Sequence, residues 1–400
     1  MKKKRHHPLQ LEVRYQKKRR EKYLQEQESR RSDLLDVLRG FTSVVDESRH
    51  IHGTDGGKDG KFEVQDDAGQ SAKVSARAFW ASQLMIPEWM VDVPSDIGTN
   101  WYVMARPEGQ RCLVVISHGI VSVRNRAGAT IDTFPSSHVH WTGDHQVPHK
   151  EYILDCIYQS LVFYVTDVLC WGGHELLDCT AEFRMYWKAS HVTAAISGKE
   201  KEGKYSFRLL EHYEANPVGI QKAYYTDDSK GFCPDGMIFL HKQCCYHGGQ
   251  TPLMLTWKDP HTSKYFIDTD SIGIISPLQS INLMYGGDLL LQTGDDEPVT
   301  VARLPASFVQ SHSESLKPGS LLRFSLLPHG ISILDDGAIW LSLQFLGTAN
   351  RRRKKADHIS KILFQHMARN EPLTIDTIIA VSKDSVNTSC DETMYCSLGS

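Results

Sequence analysis

The sequence predicts an α+β chain dominated by antiparallel sheet, with a small β-barrel or sandwich toward its C-terminus. Three observations carry this. Trp101–Met104 and Cys112–Ser117 are apolar runs on either side of the turn Arg106-Pro107-Glu108-Gly109-Gln110-Arg111, which reads as a hairpin. Met237–Leu240 and Leu253–Leu255 form a second pair about a polar, glycine-containing loop. Runs this short suit strands buried on both faces, although a buried helical segment has the same pattern. Leu321–Leu327, Ile331–Leu334 and Trp340–Phe345 recur at roughly ten-residue spacing, the rhythm of a small β domain.

The elements follow in order. Residues 1–41 are a basic arm, in which thirteen Lys and Arg face six Asp and Glu up to Gly40. Leu9–Arg39 holds no proline or glycine and is rich in good helix formers. Its apolar residues are too sparse for a core-facing stripe, so this helix should order only against a partner. Residues 42–75, rich in Gly, Asp and Lys, read as a disordered linker. A structured domain spans 76–284. It opens on Phe79, Trp80, Leu84 and Met85 and continues through strand signals at Val121–Val123, Tyr152–Ile157 and Leu161–Trp171, with a helix at Phe183–Trp187. Residues 285–382 form the β domain, closed by helical signals at Ser360–Arg369 and Pro372–Ala380, and 383–400 read as a disordered tail.

Composition excludes several classes. The net charge of -3 is not that of a polycation, and the basic character is local to the arm. Nine cysteines form no CxxC pair, which argues against a zinc ribbon or a disulfide framework and for a reducing compartment. No apolar stretch approaches the roughly 20 residues of a membrane span, and MKKKRHH does not open like a secretory signal. The sequon Asn387-Thr388-Ser389 then carries no meaning. Cytosol and nucleus remain. The arm itself suits a nucleic acid, an acidic membrane surface or an acidic protein groove, and a solvated tail is the plain alternative. Trp257-Lys258, at the end of the second apolar run, reads on its residues first as a core tryptophan and second as a stacking platform with a cation beside it.

Several separated motifs resemble the snurportin family: LMIPEWMVDVPSD (84–96), YILDCIY (152–158), VTDVLCWGGHELLDC (165–179), FRMYW (183–187) and DGMIFLHKQ (235–243). The resemblance covers roughly residues 80–260, with the arm and linker placed as that family has them. It implies a nuclear import adaptor that shuttles between cytoplasm and nucleus. Such a protein binds the trimethylguanosine cap of spliceosomal small nuclear RNAs with its central domain and offers the basic arm to importin-β. By the resemblance, Trp257 is the stacking platform, Trp89 stands against the exocyclic dimethylamino group, and Arg111 and Arg126 meet the phosphate bridge with Lys258. Taken alone, the two arginines read as solvated turn residues. Pro87 stands where the family has a serine, so a hydroxyl contact to the base is missing or is supplied by backbone. In the arm, Arg14, Lys17, Lys18, Arg19, Arg20, Lys22, Arg30 and Arg31 are the candidate importin contacts.

The family's cap domain is itself similar to the guanylyltransferase domain of mRNA capping enzymes, whose Lys-x-Asp-Gly-x-Arg motif attacks an α-phosphate. Here that turn reads Arg106-Pro107-Glu108-Gly109-Gln110-Arg111, and a later Lys-x-Lys-Pro motif reads Thr256-Trp257-Lys258-Asp259-Pro260. A covalent nucleotidyl intermediate needs an amine that can lose its proton. An arginine, with a pKa above about 12, cannot serve. The expectation is therefore a binder, with no catalysis, no cofactor and no metal. A divergent guanylyltransferase or ligase is the alternative. The C-terminal strands and helices resemble the oligonucleotide-binding barrel of capping enzymes. The basic run Arg351–Lys355 suits RNA phosphates, a solvated loop or a second localisation signal equally. The family's export-receptor segment precedes its basic arm. Here almost nothing precedes Lys2, so export recognition is expected elsewhere, absent, or lost by truncation.

Overall fold

The computed structural model describes residues 9–29, 61–65, 71–138, 150–196, 204–225, 231–269, 273–312, 316–334, 338–349 and 355–397. In chain order the strands are β1 Lys61–Gln65, β2 Ser71–Ser75, β3 Met85–Trp89, β4 Trp101–Pro107, β5 Gln110–Ser117, β6 Ile120–Asn125, β7 Thr130–Pro135, β8 Tyr152–Gln159, β9 Val162–Trp171 and β10 His174–Glu175. There follow β11 Ser206–Leu209, β12 Tyr213–Glu214, β13 Pro234–His241, β14 Gly249–Trp257, β15 Ser280–Gly287, β16 Leu290–Gln292, β17 Thr300–Arg303, β18 Leu321–Ile333 and β19 Ile339–Thr348. The helices used below are α1 Leu9–Ser29, α2 Ala76–Ser82, α3 Ala181–Trp187, α4 Ile359–Asn370 and α5 Ile375–Ser397. The α+β class with mostly antiparallel pairing holds; β11 runs parallel to β9.

The chain divides into two units. The first to take is built from 22–87 and 98–254. Here a seven-stranded sheet, ordered β10-β9-β8-β5-β6-β7 with β11 on β9, accompanies the sheet β12-β4-β13-β14-β3. Side chains alternate along β5. Leu113 and Val115 join a core that also holds Met104, Ile238, Leu240 and Leu253, while Cys112, Val114 and Ile116 join a second core with Leu154, Phe163 and Val192. That two-sided burial is why the strand is a continuous apolar run instead of an alternating one. The two-strand reading of Met237–Leu240 and Leu253–Leu255 holds, since β13 and β14 are neighbours in their sheet.

One expectation fails. Trp101–Met104 and Cys112–Ser117 do not form a hairpin: β4 pairs with β12 and β13, whereas β5 pairs with β6 and β8. The tight turn carries the chain from one sheet to the other. Glu108 donates its N–H to the Cys233 carbonyl at 2.7 Å, and a Cβ on Gly109 would lie 2.6 Å from the Tyr158 carbonyl oxygen. Only glycine passes that close to a neighbouring backbone. The linker region also contains more than expected, because β1 and β2 pair antiparallel within 61–75.

The other unit comprises 1–21, 88–97 and 255–400. Its sheet is ordered β17-β16-β15-β18-β19, and hydrogen bonding does not close it into the expected barrel among the described residues. The two runs read as separate strands, Leu321–Leu327 and Ile331–Leu334, belong to one long β18. A register shift against β19 between Leu326 and Ile331 marks the break, with His329 at φ 53°. Ile359, Ile362 and Leu363 of α4 pack into the core of this sheet with Ile281, Leu283, Leu322 and Phe324. The spacing of those helix residues is the apolar stripe that predicts the helix. Past it, α5 continues to Ser397, through residues expected to be a disordered tail.

Candidate functional site

The residues assigned to a stacked base gather in the unit of 88–97 and 255–400. Trp89, at the end of β3, donates its backbone N–H to Ser360 Oγ at 3.3 Å, and its ring lies 4.6 Å from that of Phe364 at 38°. Lys258 Nζ stands 5.9 Å from the Trp89 ring centroid, within range of a cation–π contact. Trp257, the last residue of β14, is 0% exposed, and its indole N–H bonds to the Leu373 carbonyl at 3.0 Å. On this geometry the ring is buried and its N–H edge meets the turn between α4 and α5.

Beside these residues lies a cavity with about 430 Å³ of atom-free space, partly open to solvent. Lys258, Asp259, Phe266, Phe364, Met367 and Leu373 are among its lining residues. Local hydrogen bonds fix its walls. Asp259 Oδ1 accepts from both the backbone N–H and the hydroxyl of Thr262, each at 2.8 Å, which is an Asx-type turn directly after Lys258. Gln365 Nε2 donates to the Phe266 carbonyl at 2.8 Å while its Oε1 accepts from the Asp268 N–H, so the Phe266 loop is tied to α4.

Arg19 and Arg20, two of the arm residues, meet the segment that carries Trp89. Arg19 Nη1 is 2.5 Å from Glu88 Oε1, and Gln16 Nε2 donates to Glu88 Oε2 at 3.0 Å and to the Trp89 carbonyl at 3.2 Å. Arg20 is 3.7 Å from Asp92. The Glu88 carboxyl is 1% exposed, and burial pushes its pKa up against the pull of Arg19. Burial likewise pushes Asp92 up to about 6, with Arg20 offsetting only part of it. The long Arg20–Asp92 separation explains why burial wins. Between about pH 4 and pH 6 the folded Asp92 holds a proton that the unfolded chain has released, so its contribution to stability falls as pH rises through that window. Asp92→Asn is expected to lose this dependence: wild type should lose roughly 1–3 kcal/mol relative to the variant over that span, read from urea melts at each pH. A wild type that instead gains stability with pH relative to Asp92→Asn would mean that the ion pair dominates. Lys17, Lys18 and Lys22 are exposed on α1; the Arg14 side chain and Arg30 and Arg31 lie outside the described residues.

The remaining assigned residues sit in the unit of 22–87 and 98–254. Pro87 is half-buried in β3, and Arg126 is exposed in the turn after β6. Arg111 is committed elsewhere: Nε and Nη2 both bond to the buried carboxylate of Asp155, which also accepts from Tyr246 Oη at 2.7 Å. Arg106, expected from the sequence to stand where capping enzymes have their nucleotidyl lysine, bonds to Asp235 and to the Pro107 carbonyl. A second buried pair, Arg184 with Asp167, extends to the carbonyls of Cys179 and Cys244. Beside it Lys188 donates to the Thr166 and Leu210 carbonyls, its pKa lowered by burial to about 8. Arg124 lies 4.9 Å over the Trp80 ring, and burial brings it down to about 10. No group of His, Cys, Asp and Glu suited to a metal occurs among the described residues, and no described helix is long and apolar enough to cross a membrane. The basic run at 351–354 lies outside the described residues.

Sequence reasoning missed Phe266, Phe364, Met367 and Leu373. Their signal was an ordinary helix stripe and loop, with nothing to mark a cavity. Asp155 was legible in principle, as a lone carboxylate inside the apolar run YILDCIY.

Residues 83–260 match the family model described as the Snurportin1 m3G cap-binding domain. Solved structures similar to the chain include a mycobacterial DNA ligase D complexed with ATP and MES, at 14% identity over 69% of this chain and 97% of that one, TM-score 0.33. A Lig E DNA ligase described as binding DNA with a minimal scaffold gives 12% identity, 66% and 98% coverage and a TM-score of 0.30. The ATP-dependent DNA ligase of bacteriophage T7 in complex with ATP gives 10%, 68%, 100% and 0.32. Likenesses this distant say nothing about activity.

Proposed function

We propose, from the match of residues 83–260 to the snurportin cap-binding domain, that this chain binds the trimethylguanosine cap of small nuclear RNAs. We propose further that it acts as an import adaptor, with α1 as the segment offered to importin-β. The family match is the observation that carries the reading. The chemistry is consistent with it. A 7-methylated guanine carries a ring positive charge and stacks on aromatic planes, worth roughly 1–3 kcal/mol per base. Trp89, Trp257 and Lys258 stand together at the ends of β3 and β14, where an aromatic support and a phosphate cation are needed. Stacking on Trp257 requires its buried ring to be uncovered. Arg111 would have to leave Asp155 to reach a phosphate.

A binder fits the residues better than an enzyme does. Arg106 cannot lose a proton to attack a phosphate, and its guanidinium is engaged by Asp235. The enzyme alternative requires label transfer from GTP to protein with a divalent metal, and no transfer is expected. In the adaptor reading, importin-β supplies acidic groups that replace Glu88 and Asp92 on Arg19 and Arg20, so the helix is exchanged from one acidic site to another.

The test is a tryptophan-fluorescence titration with trimethylated and singly methylated cap dinucleotides, on wild type, Trp89→Phe and Trp257→Phe. Quenching at least tenfold more sensitive to the trimethylated cap is expected in wild type, weakened in both variants. Equal response to the two caps would overturn the reading.

A further inference from the structure

We infer that Arg124, with Arg77 beside it, is a binding site for a phosphate of the RNA that lies outside the cap. The inference rests on the cap-binding reading for the identity of its ligand, and it assigns two residues that the reading leaves unused. Arg124 is half-buried near the end of β6, opposite Leu113 of β5, and its guanidinium lies 4.9 Å over the Trp80 ring. Trp80 is 1% exposed and belongs to the core that holds Leu113. The buried arginines Arg111 and Arg184 each hold a carboxylate on two nitrogens. Arg124 differs from both. Its Nε is buried with no hydrogen-bond partner, and no carboxylate offsets the burial that brings the group down to about 10. The indole offsets part of the cost of burying a cation, yet the donor on Nε still has no acceptor. A guanidinium in that condition is a fork suited to two oxygens of one phosphate.

The local chain brings a second arginine to the same seat. Asn125 Oδ1 accepts the N–H groups of Ala127 at 2.9 Å and Ala129 at 3.1 Å, which fixes the turn after β6. Gly128, at φ 71°, lets that turn rest on α2: a Cβ there would lie 1.9 Å from the Arg77 carbonyl oxygen and 2.7 Å from the Ala81 nitrogen. Arg77 Nε donates to the Ala127 carbonyl at 3.3 Å. Arg77 is exposed and stands three residues before Trp80, on the same side of α2 as the indole that carries Arg124. Residues 76–82 and 120–131 contain no Asp or Glu, and Asp132 is bonded to Tyr205 of the other core. Two cations on a fixed turn and helix, with no acid among them, suit a polyanion.

The test uses the full chain with the trimethylated cap dinucleotide, the same cap on an RNA of about ten nucleotides, and that RNA uncapped. Wild type should bind the capped RNA at least tenfold more tightly than the dinucleotide at low salt. Arg124→Gln should lose most of that gain and keep its affinity for the dinucleotide within twofold. The slope of log affinity for the capped RNA against log salt should become shallower by about 0.7, the share of one single-strand phosphate. The urea midpoint should not fall, because the variant removes a buried charge without an anion. If Arg124→Gln fails to fold, Arg124→Lys carries the comparison: it should lose part of the gain at an unchanged salt slope. A wild type that gains nothing from the RNA tail, or an Arg124→Gln that keeps the gain and the slope, overturns this inference alone. So does an Arg124→Gln that weakens dinucleotide and capped RNA alike, and so does a phosphoserine peptide that binds through Arg124 where the tail adds nothing. A wild type without preference between trimethylated and singly methylated caps overturns the underlying reading instead. The inference then stands if the uncapped RNA binds in an Arg124-dependent way and falls if it does not.

Discussion

Asp155→Ala is expected to destabilise the protein by roughly 3–5 kcal/mol, because it strands a buried guanidinium. Asp155 is 0% exposed and lies on β8, opposite Leu113 of β5 in the register. Its two oxygens take Arg111 Nε and Nη2, and Tyr246 Oη adds a third bond. Tyr246 in turn accepts the Met85 N–H at 3.2 Å, so the cluster ties β8, β5 and the start of β3 through one carboxylate. Removing the carboxylate alone leaves Arg111 charged beside the Met254 sulfur, without its bidentate partner. Asp155→Asn should cost less, since the amide oxygen still accepts one bond. The double variant Arg111→Leu with Asp155→Leu should recover much of the loss, because two apolar groups need no partner there. Urea melts read all three. A single Asp155→Ala that loses under 1 kcal/mol would show that the pair contributes nothing to stability. The consequence for function is direct: an affinity lost in an Arg111 variant reports folding before it reports a phosphate contact.

The sequence showed most where local chemistry and global packing agree. The strands around Ile238 and Met254 were readable because a strand buried on both faces must be apolar throughout, and β8 and β9 were readable for the same reason. The error at Arg106–Arg111 has a physical cause. A tight turn between two apolar runs looks the same whether the second strand pairs with the first or crosses to another sheet, and the choice is made by distant partners, Cys233 and Asp235. Arg111 is a similar case. Nothing within its own turn shows that Asp155, 44 residues on, holds it. The assigned tryptophans were visible as residues, but their covering was not, because Leu373 is 116 residues beyond Trp257. Pattern locates an element; it does not say which face another part of the chain will cover.

Trp257→Ala is expected to cost roughly 3–5 kcal/mol of stability, whatever its effect on cap affinity. The ring is wholly buried at the end of β14, and truncation leaves a cavity the size of an indole. It also leaves the Leu373 carbonyl without the donor it has now, at the turn that carries α4 into α5. Trp257→Phe should cost less, since it keeps most of the volume and loses the one hydrogen bond. The two variants together separate the two roles that the residue could play. If Trp257 were only core, both should lose stability in proportion to volume, and the cap affinity of the folded fraction should stay as it is. If it is also the platform, Trp257→Phe should bind the trimethylated cap more weakly while its urea midpoint falls only modestly, because a smaller plane stacks less well. The cap should then also raise hydrogen exchange of the Trp257 indole N–H in wild type, since a base can reach the buried ring only when its surroundings open. Protection of that indole N–H on cap binding, with full affinity in Trp257→Phe, would make Trp257 a core residue and leave Trp89 to hold the base.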